Sequence, residues 1–251
     1  MKLMLLYVML GSLSLYLINL LFIKLNFLVE DETNNSHRKI LAIKNKKVQS
    51  GGFFLLITFL LTLSNTNINL ILALILIFFL GIFSDVDLIR SPKIRILLQL
   101  MIITFLTLYG SVLIEETRIV ILDNFIHNKI FSSLFTIFCF LILINGCNFI
   151  DGANNLLVGY FLILSLCIFS LTHFTKINFS QNNFEFIILC LLIIFLFNFF
   201  SKIIMGDSGA YLIGLFFGFL LINLSNNNES ISPIYVLNLL WYPAFENLFS
   251  I

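Results

Sequence analysis

The sequence predicts an all-α membrane protein, a polytopic transmembrane helix bundle of about nine spans. Of its 251 residues, 60 % are hydrophobic and only 11 % are charged, whereas a soluble protein has about 45–50 % apolar and about 25 % charged residues. The mean hydropathy is +1.06. The apolar residues form continuous runs that do not alternate with polar ones, which excludes the strands of a membrane barrel. A net charge of +1 argues against a nucleic-acid-binding protein.

The spans are predicted from charge-poor segments, because a transmembrane helix needs about 20 mainly apolar residues. The polar turn at 64–67 divides one long run into a hairpin of two spans. No small-residue cleavage site follows the first run, so we expect a retained helix there and not a signal peptide. In order, the predicted spans are 3–23, 50–64, 68–83, 96–114, 130–150, 152–175, 186–201, 208–228 and 230–245.

The basic residues predict how the bundle is oriented. If the spans alternate across the membrane, ten of the 14 Lys and Arg residues fall on one side. The positive-inside rule makes that side cytoplasmic and places the N-terminus outside. The four cysteines have no CxxC spacing, so we expect small core residues and neither disulfides nor metal ligands.

Four polar clusters interrupt the apolar chain, at 35–52, 81–99, 145–155 and 205–209, and all four are predicted on the cytoplasmic side. Each cluster alone is compatible with a basic loop, a helix end, a turn or a helix cap. Together they place Asp85, Asp151 and Asp207, a basic loop and glycine-rich helix starts at one membrane–water boundary. Mg²⁺ binds one or two carboxylates plus substrate phosphates, and basic groups bind phosphate charge. The pattern therefore predicts a Mg²⁺-dependent enzyme acting on a phosphorylated substrate.

Three local expectations accompany this prediction. Gly51 and Gly52 would let an anionic ligand approach the backbone at a helix start. Asn148, Asp151 and Asn154 or Asn155 would share one face if their segment is helical. Asp207 would either cap the helix that follows or bind a metal, with the neighbouring backbone amides open to phosphate oxygens.

In order and content, the clusters resemble the polyprenyl-phosphate N-acetylhexosamine-1-phosphate transferases (glycosyltransferase family 4). That family includes phospho-N-acetylmuramoyl-pentapeptide transferase and the undecaprenyl-phosphate N-acetylglucosamine-1-phosphate transferases. The matching strings are H-R-K…S-G-G (37–52), G-I-F-S-D…S-P-K-I-R…Q (81–99), N-F-I-D-G-A-N-N (148–155) and M-G-D-S-G-A (205–210), with P-A-F-E (243–246) similar to the family's Pro-x-x-Asp.

This resemblance implies that an N-acetylhexosamine 1-phosphate is transferred from a UDP-sugar to undecaprenyl phosphate, with release of UMP. The reaction would be the first membrane step of cell-wall or surface polysaccharide synthesis, at the cytoplasmic face of a bacterial inner membrane. The implied cofactor is Mg²⁺, or Mn²⁺ in its place. Besides the two substrates, membrane lipids are the expected partners, and a homodimer is left open.

The resemblance also implies roles for individual residues. Asp85 and Asp151 would be catalytic, and Asp207 would bind the metal together with Asp151. Substrate binding would fall to five further residues, namely Lys39, Lys93, Arg95, Asn148 and Asn154.

The chain departs from the family pattern at three places. Ser84 stands where the family has the first aspartate of an Asp-Asp pair. Asn154 replaces a second aspartate, with Asn155 where glycine is usual. The sequence ends at Ile251, so 1–251 is expected to be a single membrane domain that lacks the family's His-rich loop and last spans. Two other readings stay open: a transporter of a polar or anionic solute, since broken helices and intramembrane polar residues occur there too, and an inactive fragment of the transferase.

Overall fold

The computed structural model is an all-α bundle, as the sequence predicts, and its described residues also form one two-stranded sheet that was not predicted. It describes residues 2–30, 47–63, 67–152, 155–175 and 184–249. The strands are β1 (Val29–Glu30) and β2 (Lys47–Val48). The helices of the described residues are α1 (Lys2–Leu25), α2 (Gly51–Thr62), α3 (Ile68–Asp85), α4 (Pro92–Tyr109), α5 (Val120–Ile126), α6 (Lys129–Asp151), α7 (Leu156–Thr175), α8 (Phe184–Phe199), α9 (Gly206–Asn226) and α10 (Pro233–Phe249).

Helix α9 lies at the centre of the bundle. Its span is 83 % buried, whereas the other long apolar helices are 17–44 % buried. It packs against α3, α6 and α2, and its first turn contacts Gly81 near the end of α3, Asp151 at the end of α6 and Gly52 at the start of α2. The ends of α3 and α6 and the starts of α2 and α9 therefore meet at one end of the bundle. These four helix termini carry the polar clusters at 35–52, 81–99, 145–155 and 205–209, so the predicted convergence of the clusters is confirmed for their described residues.

Among the described residues, five helices are long and apolar enough to cross a membrane: Leu6–Leu25 within α1, and α3, α4, α6 and α9. Three shorter apolar helices, Gly51–Thr62, Leu156–Leu171 and Phe184–Phe199, correspond to predicted spans as well. The multi-pass character is thus supported, while the count of nine spans and the outside N-terminus stay predictions. Large apolar side chains are exposed along the outward faces of the bundle, where lipid would contact them, among them Met9, Leu13, Leu61, Leu72, Leu97 and Met101.

Two connections shape the end of the bundle that carries the polar clusters. Strand β1 pairs antiparallel with β2, and Val48 of β2 forms a parallel bridge with Ile203, just before α9. The Ile204 amide donates to the Val48 carbonyl (2.9 Å), and the Gly51 amide donates to the Ile204 carbonyl (3.3 Å). These bonds join the segment before α2 to the segment before α9, a contact that hydropathy does not predict.

The other end of the bundle is closed by the segment between α4 and α6. Its chain forms neither helix nor strand from 111 to 119, before the short helix α5. The Thr136 hydroxyl of α6 accepts from the Ile114 amide (2.9 Å), and the Ser132 hydroxyl donates to the Ile114 carbonyl (2.7 Å). The predicted span 96–114 therefore ends too late: α4 stops at Tyr109, and Ser111 has a positive φ of 54° that no helix continues through.

Candidate active site at the start of helix α9

The first turn of α9 is held by carboxylates from two neighbouring helices. The Gly206 amide donates to Oδ2 of Asp151, at the end of α6 (3.0 Å). The Asp207 and Ser208 amides donate to Oδ1 and Oδ2 of Asp85, at the end of α3 (2.8 and 3.1 Å). The first N–H groups of a helix have no partner within the helix and carry its positive dipole end. Asp85 and Asp151 therefore satisfy the start of α9 with charge-assisted bonds.

Gly206 makes this approach sterically feasible. Its φ is +70°, a left-handed conformation that disfavours residues with a Cβ. A Cβ at this position would also lie 2.9 Å from Oδ2 and 3.1 Å from Oδ1 of Asp85. The residue before Asp207 must therefore be glycine for the Asp85 carboxylate to reach the helix start.

The Asp207 carboxylate is surrounded by side-chain donors. Its Oδ2 accepts from the Ser84 hydroxyl (2.5 Å), from Nη1 of Arg95 (3.1 Å) and from the Tyr211 hydroxyl (3.4 Å). Nη1 of Arg95 also donates to the Ser84 oxygen (2.9 Å). Within the described part of the chain, Oδ1 of Asp207 accepts no hydrogen bond. The side chains of Arg95 and Asp207 are 26 % and 22 % exposed, so the ion pair is accessible from solution.

Acidic side chains converge at this site. Among the described residues, the carboxylates of Asp85, Asp151 and Asp207 lie around one helix start, and the Arg95 guanidinium pairs with Asp207. In the described ranges, no three His, Cys, Asp or Glu side chains lie close enough to hold a metal by themselves. The site can therefore attract a cation, but further ligands of that cation would have to come from a substrate or from water.

A comparison with protein families identifies the family to which the chain belongs. Residues 67–225 match the model of the glycosyl transferase family 4. The chain belongs to glycosyl transferase family 4. The matched region contains Ser84, Asp85, Arg95, Asp151 and Asp207. A comparison with curated proteins finds no match.

Membership in family 4 makes the chain, in general terms, a sugar-1-phosphate transferase that acts on a polyprenyl phosphate. This agrees with its multi-pass helical fold, because a polyprenyl acceptor is dissolved in the bilayer. The resemblance drawn from the polar clusters is thereby confirmed at the level of the family.

The geometry explains one departure from the family pattern. Ser84 stands where the family has the first aspartate of its pair, and its hydroxyl here bridges Arg95 and Asp207. A fourth carboxylate at this position would add negative charge beside Asp207. The serine instead supplies a donor to Asp207 and an acceptor to Arg95 without adding that charge.

Two local expectations from the sequence are wrong. The backbone amides at 206–208 were predicted to be open to phosphate oxygens, but the carboxylates of Asp85 and Asp151 already occupy them. Gly51 and Gly52 do not cradle a ligand either, because α9 fills that space. A Cβ on Gly52 would lie 2.8 Å from the Gly209 nitrogen, so these buried glycines allow α2 to pack on α9.

The cluster at 145–155 divides into two structural parts. Asn148 and Asp151 lie in the last turn of α6, three residues apart, so the expectation that they share a helix face is confirmed. Asn155 lies beyond the helix end with a φ of +65°. Oriented by its hydrogen bonds, its amide donates to the Phe195 carbonyl (3.1 Å) and accepts from the Phe199 amide (3.0 Å). Asn155 thus joins α7 to α8, away from Asp151's helix face.

Of the remaining predicted binding residues, only Lys93 lies within the described part of the chain. Lys93 is exposed in the first turn of α4, two residues before Arg95, where it can reach an anion in solution. Lys39 and Asn154 lie outside the described residues. Their roles, like those assigned to the other site residues, stay predictions.

The site has a polar extension into the bundle, formed by Gln99 and Asn145, to which the sequence analysis gave no role, and by Tyr211, which it did not include. One turn beyond Asp207 lies Tyr211, and one turn beyond Arg95 lies Gln99, which is fully buried. Nδ2 of Asn145 donates to Oε1 of Gln99 (2.8 Å). The four-residue spacings 95–99 and 207–211 place these side chains on the faces that carry the charged residues, and this spacing was the available signal.

Proposed function

We propose that the chain transfers an N-acetylhexosamine 1-phosphate from a UDP-sugar to undecaprenyl phosphate and releases UMP. The reaction would take place at the cytoplasmic face of a bacterial inner membrane, as the first membrane step of cell-wall or surface polysaccharide synthesis. The observation that carries this proposal is the pairing of Asp207 with Arg95 beside two further carboxylates at the start of α9. The site thus offers one group for an anion and several for a cation.

The donor diphosphate would bind through Arg95. Its side chain carries five N–H donors in a planar arrangement, and pairs of them match the spacing of phosphate oxygens. It is partly exposed and lies in the first turn of α4, next to the exposed Lys93. The first three amides of α9 already donate to Asp85 and Asp151. The phosphates would therefore bind to side-chain cations and not to these amides.

A divalent cation fits the donor set of the site. Mg²⁺ is usually held by one or two carboxylates, with substrate phosphates and water as the other ligands. Asp207 would be the principal ligand, since its Oδ1 has no partner among the described residues, and Asp151 lies on the other side of Gly206. When bound, Mg²⁺ would neutralise charge on the diphosphate as the bond to UMP breaks.

Asp85 and Asp151 would set the position of the reacting groups. Both carboxylates fix the start of α9, which carries Asp207. Asp85 is proposed in addition to help deprotonate the lipid phosphate or to assist the metal. The nucleophile is the phosphate oxygen of the polyprenyl acceptor, which attacks the sugar-linked phosphorus. Because this oxygen is already ionised near neutral pH, the chain needs to position it more than to activate it.

The test is a transfer assay with membranes that contain the chain, UDP-N-acetylglucosamine labelled in the sugar, and undecaprenyl phosphate. We expect labelled lipid and an equal amount of UMP, formed with Mg²⁺ and lost in EDTA. Asp207→Asn should lower the rate at least about 100-fold, in the range seen when one group that stabilises transition-state charge is removed.

The matched control is Asp87→Asn, which removes an exposed carboxylate two residues beyond Asp85, after the end of α3. It should leave the rate near that of the wild type. A wild-type chain that forms neither product from UDP-N-acetylglucosamine nor from UDP-N-acetylgalactosamine or UDP-N-acetylmuramoyl-pentapeptide would contradict the proposal. Equal rates with and without EDTA would contradict its metal-dependent part.

A further inference from the structure

The oxygen Oδ2 of Asp207 is already saturated with donors. It accepts from Ser84 at 2.5 Å, from Arg95 at 3.1 Å and from Tyr211 at 3.4 Å. A carboxylate oxygen that accepts three hydrogen bonds has little capacity left for a cation. The guanidinium beside it also repels a cation that approaches the same carboxylate. Because Oδ1 of Asp207 is the oxygen without a partner among the described residues, a metal that arrives alone can bind this carboxylate through one oxygen and must do so against the charge of Arg95.

An anion can break the contacts that Arg95 makes with Asp207 and Ser84. Nη1 of Arg95 is the donor both to Asp207 and to the Ser84 oxygen. A diphosphate offers Arg95 a more highly charged partner than one carboxylate does, and it fits the guanidinium in a bidentate manner. When Arg95 turns to a diphosphate, Asp207 loses its cationic partner and becomes available to a metal.

We propose that Ser84 and Arg95 are positioning residues that keep Asp207 from binding a divalent cation until a diphosphate engages Arg95. The inference rests on the proposed function, of which it specifies the order of binding. A cation alone binds weakly, and a nucleoside diphosphate makes the cation bind tightly. By linkage, the cation must raise the affinity for the diphosphate by the same factor. Ser84 contributes because its hydroxyl connects the guanidinium to the carboxylate without changing the charge of the site.

The experiment measures Mn²⁺ affinity without nucleotide, from the electron paramagnetic resonance signal of free Mn²⁺, on the purified full chain in detergent. Ser84→Ala removes the bridging hydroxyl and no charge. Arg95→Met removes the cationic partner. Both variants should bind Mn²⁺ at least about 5-fold more tightly than the wild type, the lower end of typical coupling between two ligands. The Asp207→Asn change, added to Arg95→Met, should abolish the gain.

The charge-matched control is Arg90→Met. Arg90 is exposed between α3 and α4, and its Nε donates to the Asp87 carbonyl (3.3 Å). Its removal should leave Mn²⁺ affinity unchanged. Wild-type affinity in Ser84→Ala overturns the proposal, since a gain in Arg95→Met alone would then reflect charge and not positioning. An equal gain in Arg90→Met overturns it as well. Only variants that elute as a single species in size-exclusion chromatography are compared.

A second titration, with UDP present, separates this inference from the proposed function. A diphosphate binds Mn²⁺ by itself, so protein-free samples supply the baseline. If the wild-type chain binds Mn²⁺ in the presence of UDP, but the variants bind Mn²⁺ without UDP no more tightly than the wild type does, only the inference is overturned. Wild-type chain that binds no Mn²⁺ with or without UDP overturns both.

Discussion

Gly206→Ala is the perturbation for which the structure gives the clearest expectation. A non-glycine residue in the left-handed conformation costs about 1–2 kcal/mol. The new Cβ would also lie 2.9 Å from Oδ2 of Asp85, too close for that carboxylate to stay in place. If the Asp85 carboxylate moves and one of its two bonds to α9 is lost, the cost rises by about 1.5–3 kcal/mol, the value of a hydrogen bond to a charged group. Together these effects destabilise the protein by about 2.5–5 kcal/mol.

Two measurements test this expectation. Unfolding by SDS in mixed micelles should give a free energy lower by the amount above. Hydrogen exchange of the Asp207 and Ser208 amides, which donate to Asp85, should become faster by about tenfold for each 1.4 kcal/mol lost. The control is Gly152→Ala, at which a Cβ meets only the Phe149 carbonyl at 3.4 Å among the described atoms. A Gly206→Ala chain with wild-type unfolding energy and wild-type exchange would refute the reasoning.

Three further changes test other parts of the account. Asp85→Asn leaves one acceptor for two α9 amides and should lower the unfolding free energy by about 1.5–3 kcal/mol, while Asp87→Asn should not. Gly81→Ala would place a Cβ 2.5 Å from the Ser208 nitrogen, so α3 must move away from α9; a smaller loss of stability than in Gly152→Ala would argue against this packing. Hydrogen bonds from Thr117 lower the pKa of Asp123, so Asp123 stabilises the segment between α4 and α6 above its usual pKa of about 3.9 and loses this effect as the pH falls through the lowered value. By NMR titration, Thr117→Val should move that pKa upward, and an unchanged midpoint would exclude the proposed cause.

The fold class can be predicted from the sequence because the composition of each segment by itself indicates whether the segment lies in lipid or in water. Long apolar runs mark α3, predicted at 68–83 and found at Ile68–Asp85, and α6, predicted at 130–150 and found at Lys129–Asp151. The rule of charge-free runs is less accurate at α4, predicted from 96 and found from Pro92. Lys93 and Arg95 lie in its first turn, where helices tolerate charge at the membrane surface and where proline favours the helix start.

The site was predictable in its residue types and not in its contacts. Asp85, Asp151 and Asp207 could be placed at one end of the bundle because each lies where an apolar helix begins or ends. The partners of their oxygens depend on long-range packing, in particular the close contact of Gly81 with the α9 backbone, which brings Asp85 to the amides of 207 and 208. No local pattern specifies that contact. For the same reason the glycines at 51 and 52 were misassigned to a ligand.

The central claim is that the start of α9 binds a divalent cation together with the donor diphosphate. Anomalous scattering from crystals of the chain grown with Mn²⁺ and UDP would test it most directly. The account predicts one Mn²⁺ in contact with the Asp207 carboxylate, shared with a diphosphate oxygen, and a second diphosphate oxygen bound by Arg95. A Mn²⁺ bound to UDP elsewhere on the protein, with the Arg95–Asp207 ion pair unchanged at 3.1 Å, would contradict it.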